Sequence, residues 1–339
     1  MDAYDYMNQA HEAGESSLEG IRLIEEAIKT ADAANDLSAG YDAREMLMEA
    51  THALGLPKKQ LLAFAWMVKQ YEAQTIRISD YLVMWRYKWV IDHAADFPEI
   101  SKQQIEHLLD DMKQKYLHLG YSLKPYFKLR SVIARKMGDI EEIPGLLRQW
   151  KAEKKDHMND CPACETHHDV TLKFFQNEYQ HAVDLAQPLI SGKQKCDEVP
   201  HLTNGRLALA FWELGDQAAA EDRFKKGYAL TKGRAGFMKA NADFVEYLLA
   251  SEQWQLAQDI LNTELNVLPQ SENKFDQYRL YAAAAVFLHA AQRQGLSVEL
   301  PVAANTIKQH AEQGAAAFDA RNGNHYYTQR LAAQLAKYG

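Results

Sequence analysis

Apolar residues along this chain recur at steps of three and four, not two. In LEGIRLIEEAIKTADAA, Leu18, Ile21, Ile24 and Ile28 fall on one side of a helix, the spacing by which an amphipathic helix offers a stripe to a core. Clean alternation of apolar and polar positions, the mark of a half-buried strand, is nearly absent. Ala, Leu, Glu, Lys, Gln and Met, which favour helix, dominate the long segments. Only 9 prolines and 17 glycines punctuate the 339 residues. The pattern predicts an all-α protein.

The helices repeat. MGDIEEIPGLLRQW, FQNEYQHAVDLAQPL, LGDQAAAEDRFKKG and ASEQWQLAQDILNTE each read as a turn, then a small or aliphatic residue, then a larger apolar one four positions on. Aligned, they place Ile143, Ala182, Ala220 and Ala257 in register at intervals of 39, 38 and 37, and Ile105 precedes Ile143 by 38. Nearly equal intervals of this length are the signature of a stacked helical-hairpin array. Extrapolation gives eight antiparallel hairpins with boundaries near residues 37, 78, 120, 160, 200, 236 and 273. After the helix-stopping Asn322, Gly323 and Asn324, a last helix caps the open end. No Ser/Pro-rich linker divides the chain, so residues 1–339 read as a single solenoid domain, clearest over 100–265.

In LGDQAAAEDRFKKG the turn glycine Gly215, the small Ala220 and the bulky Phe224 resemble the second-helix signature of the tetratricopeptide repeat. The repeats here run a few residues longer than that family's, and its first-helix Trp and Leu-Gly signature is degenerate. The resemblance implies a right-handed solenoid whose first helices line a concave groove for a protein or peptide partner. The DNA-binding module that opens related peptide-sensing transcription factors does not precede the repeats.

Charge narrows the partner. A net charge of -8 and a pI near 5.9 argue against nucleic acid, whose binding rests on neutralised phosphates. The opening MDAYDYMNQAHEAGES lacks the basic start and apolar run of a signal peptide, and no stretch approaches the ~20 apolar residues that span a bilayer. Three cysteines are an odd count, far short of a disulfide framework. A cytoplasmic protein with reduced thiols is expected.

All three cysteines lie close together in the repeat topology. Cys161 and Cys164 sit in NDCPACETHH, and Cys196 and His201 in GKQKCDEVPH, a spacing of C-x2-C, 31 residues, then C-x4-H. Successive hairpins begin at the same end of an array, so the pattern predicts a Cys3His set of the kind that closes a structural zinc site. The zinc would join the hairpin at 160–199 to that at 200–235. His167 and His168, on the same helix as Cys164, are alternative fourth ligands. A redox dithiol would need a βαβ setting that the sequence does not offer, and three buried small hydrophobes are the plainer reading. A catalytic zinc would call on Glu165 or Asp169 as base.

Two other stretches stand out. Tyr81, Trp85 and Trp89 recur every fourth residue and read as core packing, with Tyr87 off the stripe as the exposed ring. LKPYFKLRSVIARK concentrates Lys124, Lys128, Arg130, Arg135 and Lys136; a solvated helix face is the plain reading. The functional reading makes Tyr87, Lys128, Arg135 and Lys136 a groove for an acidic or carboxylate-ended peptide. Phosphate-loop, nucleophile-elbow and zinc-protease motifs are absent from the sequence. The expected function is a non-catalytic protein- or peptide-binding scaffold with one structural zinc. The rivals are a zinc-dependent enzyme and a peptide-sensing regulatory receptor.

Overall fold

The apolar stripes fold as eighteen α-helices joined by short turns, with no strand among the described residues. The computed structural model describes every residue except Ala53 and Gly339. Their contacts gather into two compact units, residues 1–159 and 160–339.

The first unit holds four hairpins: α1 (Ala3–Ala13) with α2 (Leu18–Ala33), α3 (Leu37–Thr51) with α4 (Pro57–Ala73), α5 (Asp80–Ala94) with α6 (Lys102–Leu119), and α7 (Lys124–Met137) with α8 (Ile143–Ala152). Consecutive helices pack on one another. Asp2, Ser17, Asp36 and Ser101 start their helices by accepting a backbone N–H from the first turn. Gly120 and Gly138 end α6 and α7 with left-handed φ of 74° and 78°, a conformation that a Cβ disfavours. Ile21 and Ile24 are buried as the pattern predicts, but Leu18 is 88% exposed. It is the first residue of α2, and no neighbouring helix covers it there.

The second unit opens with α9 (Pro162–Phe175), whose partner limb is split into α10 (Tyr179–Leu185) and α11 (Gln187–Ile190). The split coincides with Pro188, which has no N–H to continue the helix ladder. Next come α12 (Asn204–Glu213) with α13 (Gln217–Thr231), α14 (Met238–Ala250) with α15 (Trp254–Val267), α16 (Lys274–Arg293) with α17 (Ala304–Asn322), and finally α18 (Tyr326–Lys337). The first helices α12, α14 and α16 pack directly on their neighbours. Gly205 on α12 permits its close approach to α14: a Cβ there would lie 2.8 Å from Cβ of Asp243 and 3.1 Å from the Ala240 carbonyl oxygen.

Eight hairpins and a final helix therefore follow the sequence periodicity, and the register residues explain why. Ile105, Ile143, Ala182, Ala220 and Ala257 are all buried, as is Phe224. The alanines at three of these positions let helices approach, and Phe224 fills the space one turn after Ala220. In α18, Tyr327 and Leu331 bury against the last hairpin. Asp319 holds its start by accepting hydrogen bonds from Tyr327 N, Thr328 N and Thr328 Oγ1 at 2.8, 2.9 and 2.6 Å. No helix among the described residues is long and apolar enough to cross a membrane.

Candidate metal centre

The cysteines meet because a helix start and a loop are pinned to each other. Cys161 is the extended residue before α9, Pro162 takes the first helical position, and Cys164 lies in the first turn, the arrangement that suits proline's fixed φ and missing N–H. Cys196 sits in the loop after α11, where its N–H donates to the Val199 carbonyl at 2.8 Å. Thr166 Oγ1 donates to Gln194 Oε1 at 2.7 Å and ties that loop to α9. Ala163, Leu189 and Val199 form a buried apolar floor under Cys164 and Cys196.

The three Sγ atoms lie within 4.8 Å of one another, and Cys164 Sγ is 3.4 Å from Cys196 Sγ. None is disulfide-bonded. A tetrahedral ion with bonds of about 2.3 Å to sulfur sets its ligands about 3.8 Å apart, so the trio is already near metal-binding dimensions. Burial raises the Cys196 thiol pKa, while the backbone N–H groups around it oppose that shift. A metal bound to the sulfurs would offset this burial cost by taking the thiolates as ligands. The site can therefore hold a thiophilic cation.

No protein-family model and no curated protein sequence matches this chain.

Among the described residues no histidine or carboxylate joins the trio within its 4.8 Å spacing. His201 stacks on Phe237 with ring centres 5.2 Å apart, and its buried Nδ1 has no hydrogen-bond partner. Burial, then the nearby Arg234, lowers its pKa and favours the neutral imidazole. His167 Nδ1 is occupied 2.7 Å from Thr203 Oγ1, and His168 is buried with interactions of its own. The expected staple between two hairpins is thus only partly assembled. The sulfurs close one hairpin onto its own exit loop, because α12 begins only at Asn204 and leaves His201 in the approach to it. The sequence pattern missed the apolar floor, whose residues Ala163, Leu189 and Val199 carry no motif.

The aromatic and basic stretches depart further from expectation. Tyr87 is 2% exposed, its hydroxyl donates to Asp111, and its ring packs edge-on against Phe64 at 4.9 Å. Tyr81 is exposed, whereas Trp85 and Trp89 are half-buried, Trp85 against the core and Trp89 stacked on His52, so the odd ring lies deeper than the stripe. Lys136 is buried against Asp96 and Asp92 at 2.7 and 2.8 Å. Lys124 is buried too, its Nζ donating to the Trp150 carbonyl, and Arg130 pairs with Glu106. Lys128 is buried and Arg135 half-buried, each with internal partners. Lys124, Arg130 and Lys136 thus neutralise the chain's own acceptors and form neither a solvated face nor an open cationic groove.

Proposed function

We propose that this chain is a non-catalytic helical-repeat scaffold of the tetratricopeptide type that receives a segment of another protein on its first helices. In this reading Cys161, Cys164 and Cys196 hold a single structural zinc. Convergence of the three sulfurs is the observation that carries the metal. Thiolates select soft and borderline cations, and zinc among these is redox-inert and tetrahedral. His201 completes the set, because its neutral ring has a buried nitrogen with no other partner. The zinc then joins α9 and the exit loop to the approach to α12. The free thiols suit a reducing compartment, the cytoplasm.

With His201 as fourth ligand the site is closed and leaves no position for substrate or activated water. One observation favours this over a zinc enzyme. Glu165 and Asp169, the carboxylates that could serve as base, already have partners within the chain. X-ray absorption on the zinc-loaded protein tests the reading. Three sulfurs at about 2.3 Å and one nitrogen at about 2.0 Å are expected, with the nitrogen replaced by oxygen in His201→Ala. Water in the fourth position of the unmodified protein would reverse the non-catalytic assignment.

A further inference from the structure

The last helix does more than cover the end of its unit. Phe175, Trp212, Leu249 and Val286 recur at 37-residue intervals, and so do Leu209, Glu246 and Ala283. These positions lie on α9, α12, α14 and α16, the first helices of four successive hairpins. The C-terminal helix α18 runs onto this ladder. The Arg330 guanidinium lies over the Phe175 ring at 5.3 Å, and Gln334 Nε2 donates to Glu246 Oε1 at 3.2 Å. Lys337 Nζ is 3.7 Å from Glu213 Oε1. A segment near the C-terminus thus reaches the first helices of successive repeats, and Gln334, Lys337 and Tyr338 border a space lined by the equivalent Leu209, Glu246 and Ala283, as an extended ligand of a solenoid does.

We infer that α18 is a built-in occupant of a docking face on the second unit, and that the face fits a cationic amphipathic helix from a partner. This inference rests on the scaffold reading. Charge complementarity sets the partner's chemistry. Residues 326–337 carry two cations, Arg330 and Lys337, and no acid, while the face presents Glu213 to Lys337; Glu246 accepts from Gln334 but is already paired with the buried Arg279 at 2.9 Å. Fit sets the competition. Beyond Leu331 the helix buries no side chain fully, and a space of about 110 Å³ remains among Leu209, Leu249, Ala283, Val286 and Tyr338. Its start is clamped by Asp319 and Tyr327, so the C-terminal half can lift while the base stays docked. Elements with few buried apolar contacts open first. A partner helix with a larger apolar residue over that space, and a cation toward Glu213, displaces it.

The test uses the full chain with Leu335→Glu and Lys337→Glu together, which turns the tip of α18 against Glu213 and the apolar floor and leaves its clamp intact. The probe is a fluorescein-labelled synthetic peptide with the sequence of residues 326–338, alongside a control with both cations replaced by Glu. Hydrogen exchange should show faster amides over 332–338 and unchanged protection in α14 and α16. The peptide should bind the variant at least ten-fold more tightly than the unmodified protein, and the control should not bind. Equal peptide affinity for variant and unmodified protein would overturn the inference. Binding of the control on the same face would overturn the charge rule and leave the scaffold reading standing. No peptide binding to a variant whose tip is released would sink the docking face and remove the support it gives to the scaffold reading.

Discussion

Cys161, Cys164 and Cys196 come from the two ends of one hairpin and meet, whereas Lys124 and Lys136, on one helix with Lys128 and Arg135, turn inward to separate acceptors. Both stretches looked chemically loaded in the sequence. They differ in what each inference required. Bringing the cysteines together needed only the positions of a helix start and a loop, which repeat topology supplies. Opening a groove at the lysines needed the rotation of a helix about its own axis. Each residue turns an α-helix by about 100°, so a small error in register moves a side chain from solvent to core. Tyr87 shows the cost: two residues from Trp85 and from Trp89, it faces nearly opposite to both, and that is the side the core takes.

The largest expected effect breaks the basic side of this contrast. Lys136→Ala leaves Asp96, itself buried, without its closest cation. Removing one partner of a buried ion pair costs about 3–5 kcal/mol, so urea unfolding should show a loss of that size. A change below about 1 kcal/mol would return Lys136 to an open surface and restore it as a groove candidate.

On the cysteine side, zinc should stabilise the folded chain by linkage. With free zinc at one hundred times its Kd, the gain is about 2.7 kcal/mol. A chelator should therefore lower the melting temperature of the unmodified protein and leave Cys196→Ser unaffected. Equal chelator sensitivity in both proteins would place the metal elsewhere.

The smallest effect sharpens the contrast between the aromatic rings. Tyr87→Phe keeps the ring but deletes the hydrogen bond to Asp111, for a loss of about 1 kcal/mol. Tyr81→Phe, on an exposed ring, should be within about 0.5 kcal/mol of unmodified protein. Denaturant midpoints measured side by side decide it, and the reverse order would restore the stripe to the core.

Much of the fold was legible because small or aliphatic residues at a nearly constant interval report helix packing directly. Ile105, Ile143, Ala182, Ala220 and Ala257 mark the core without any need to know which way each helix is turned. The cysteine trio was legible for the same topological reason. The position of His201 was not, since it depends on where α12 starts, and helix starts without a capping side chain, such as that at Asn204, leave little trace in sequence. The ladder under α18 was available as a second 37-residue period, that of Phe175, Trp212, Leu249 and Val286. Its large residues resemble ordinary core, and only the C-terminal helix lying on them gives them a different meaning.

The central claim is that the three sulfurs are metal ligands and not merely packed thiols. Native mass spectrometry of protein purified without chelator tests it most directly, on the unmodified chain and on Cys161→Ser, Cys164→Ser and Cys196→Ser. The account predicts a single bound zinc in the unmodified protein and its loss in each variant, with the fold retained by circular dichroism. A zinc-free unmodified protein that stays zinc-free when the metal is added back, or full zinc retention in any of the three variants, would contradict it.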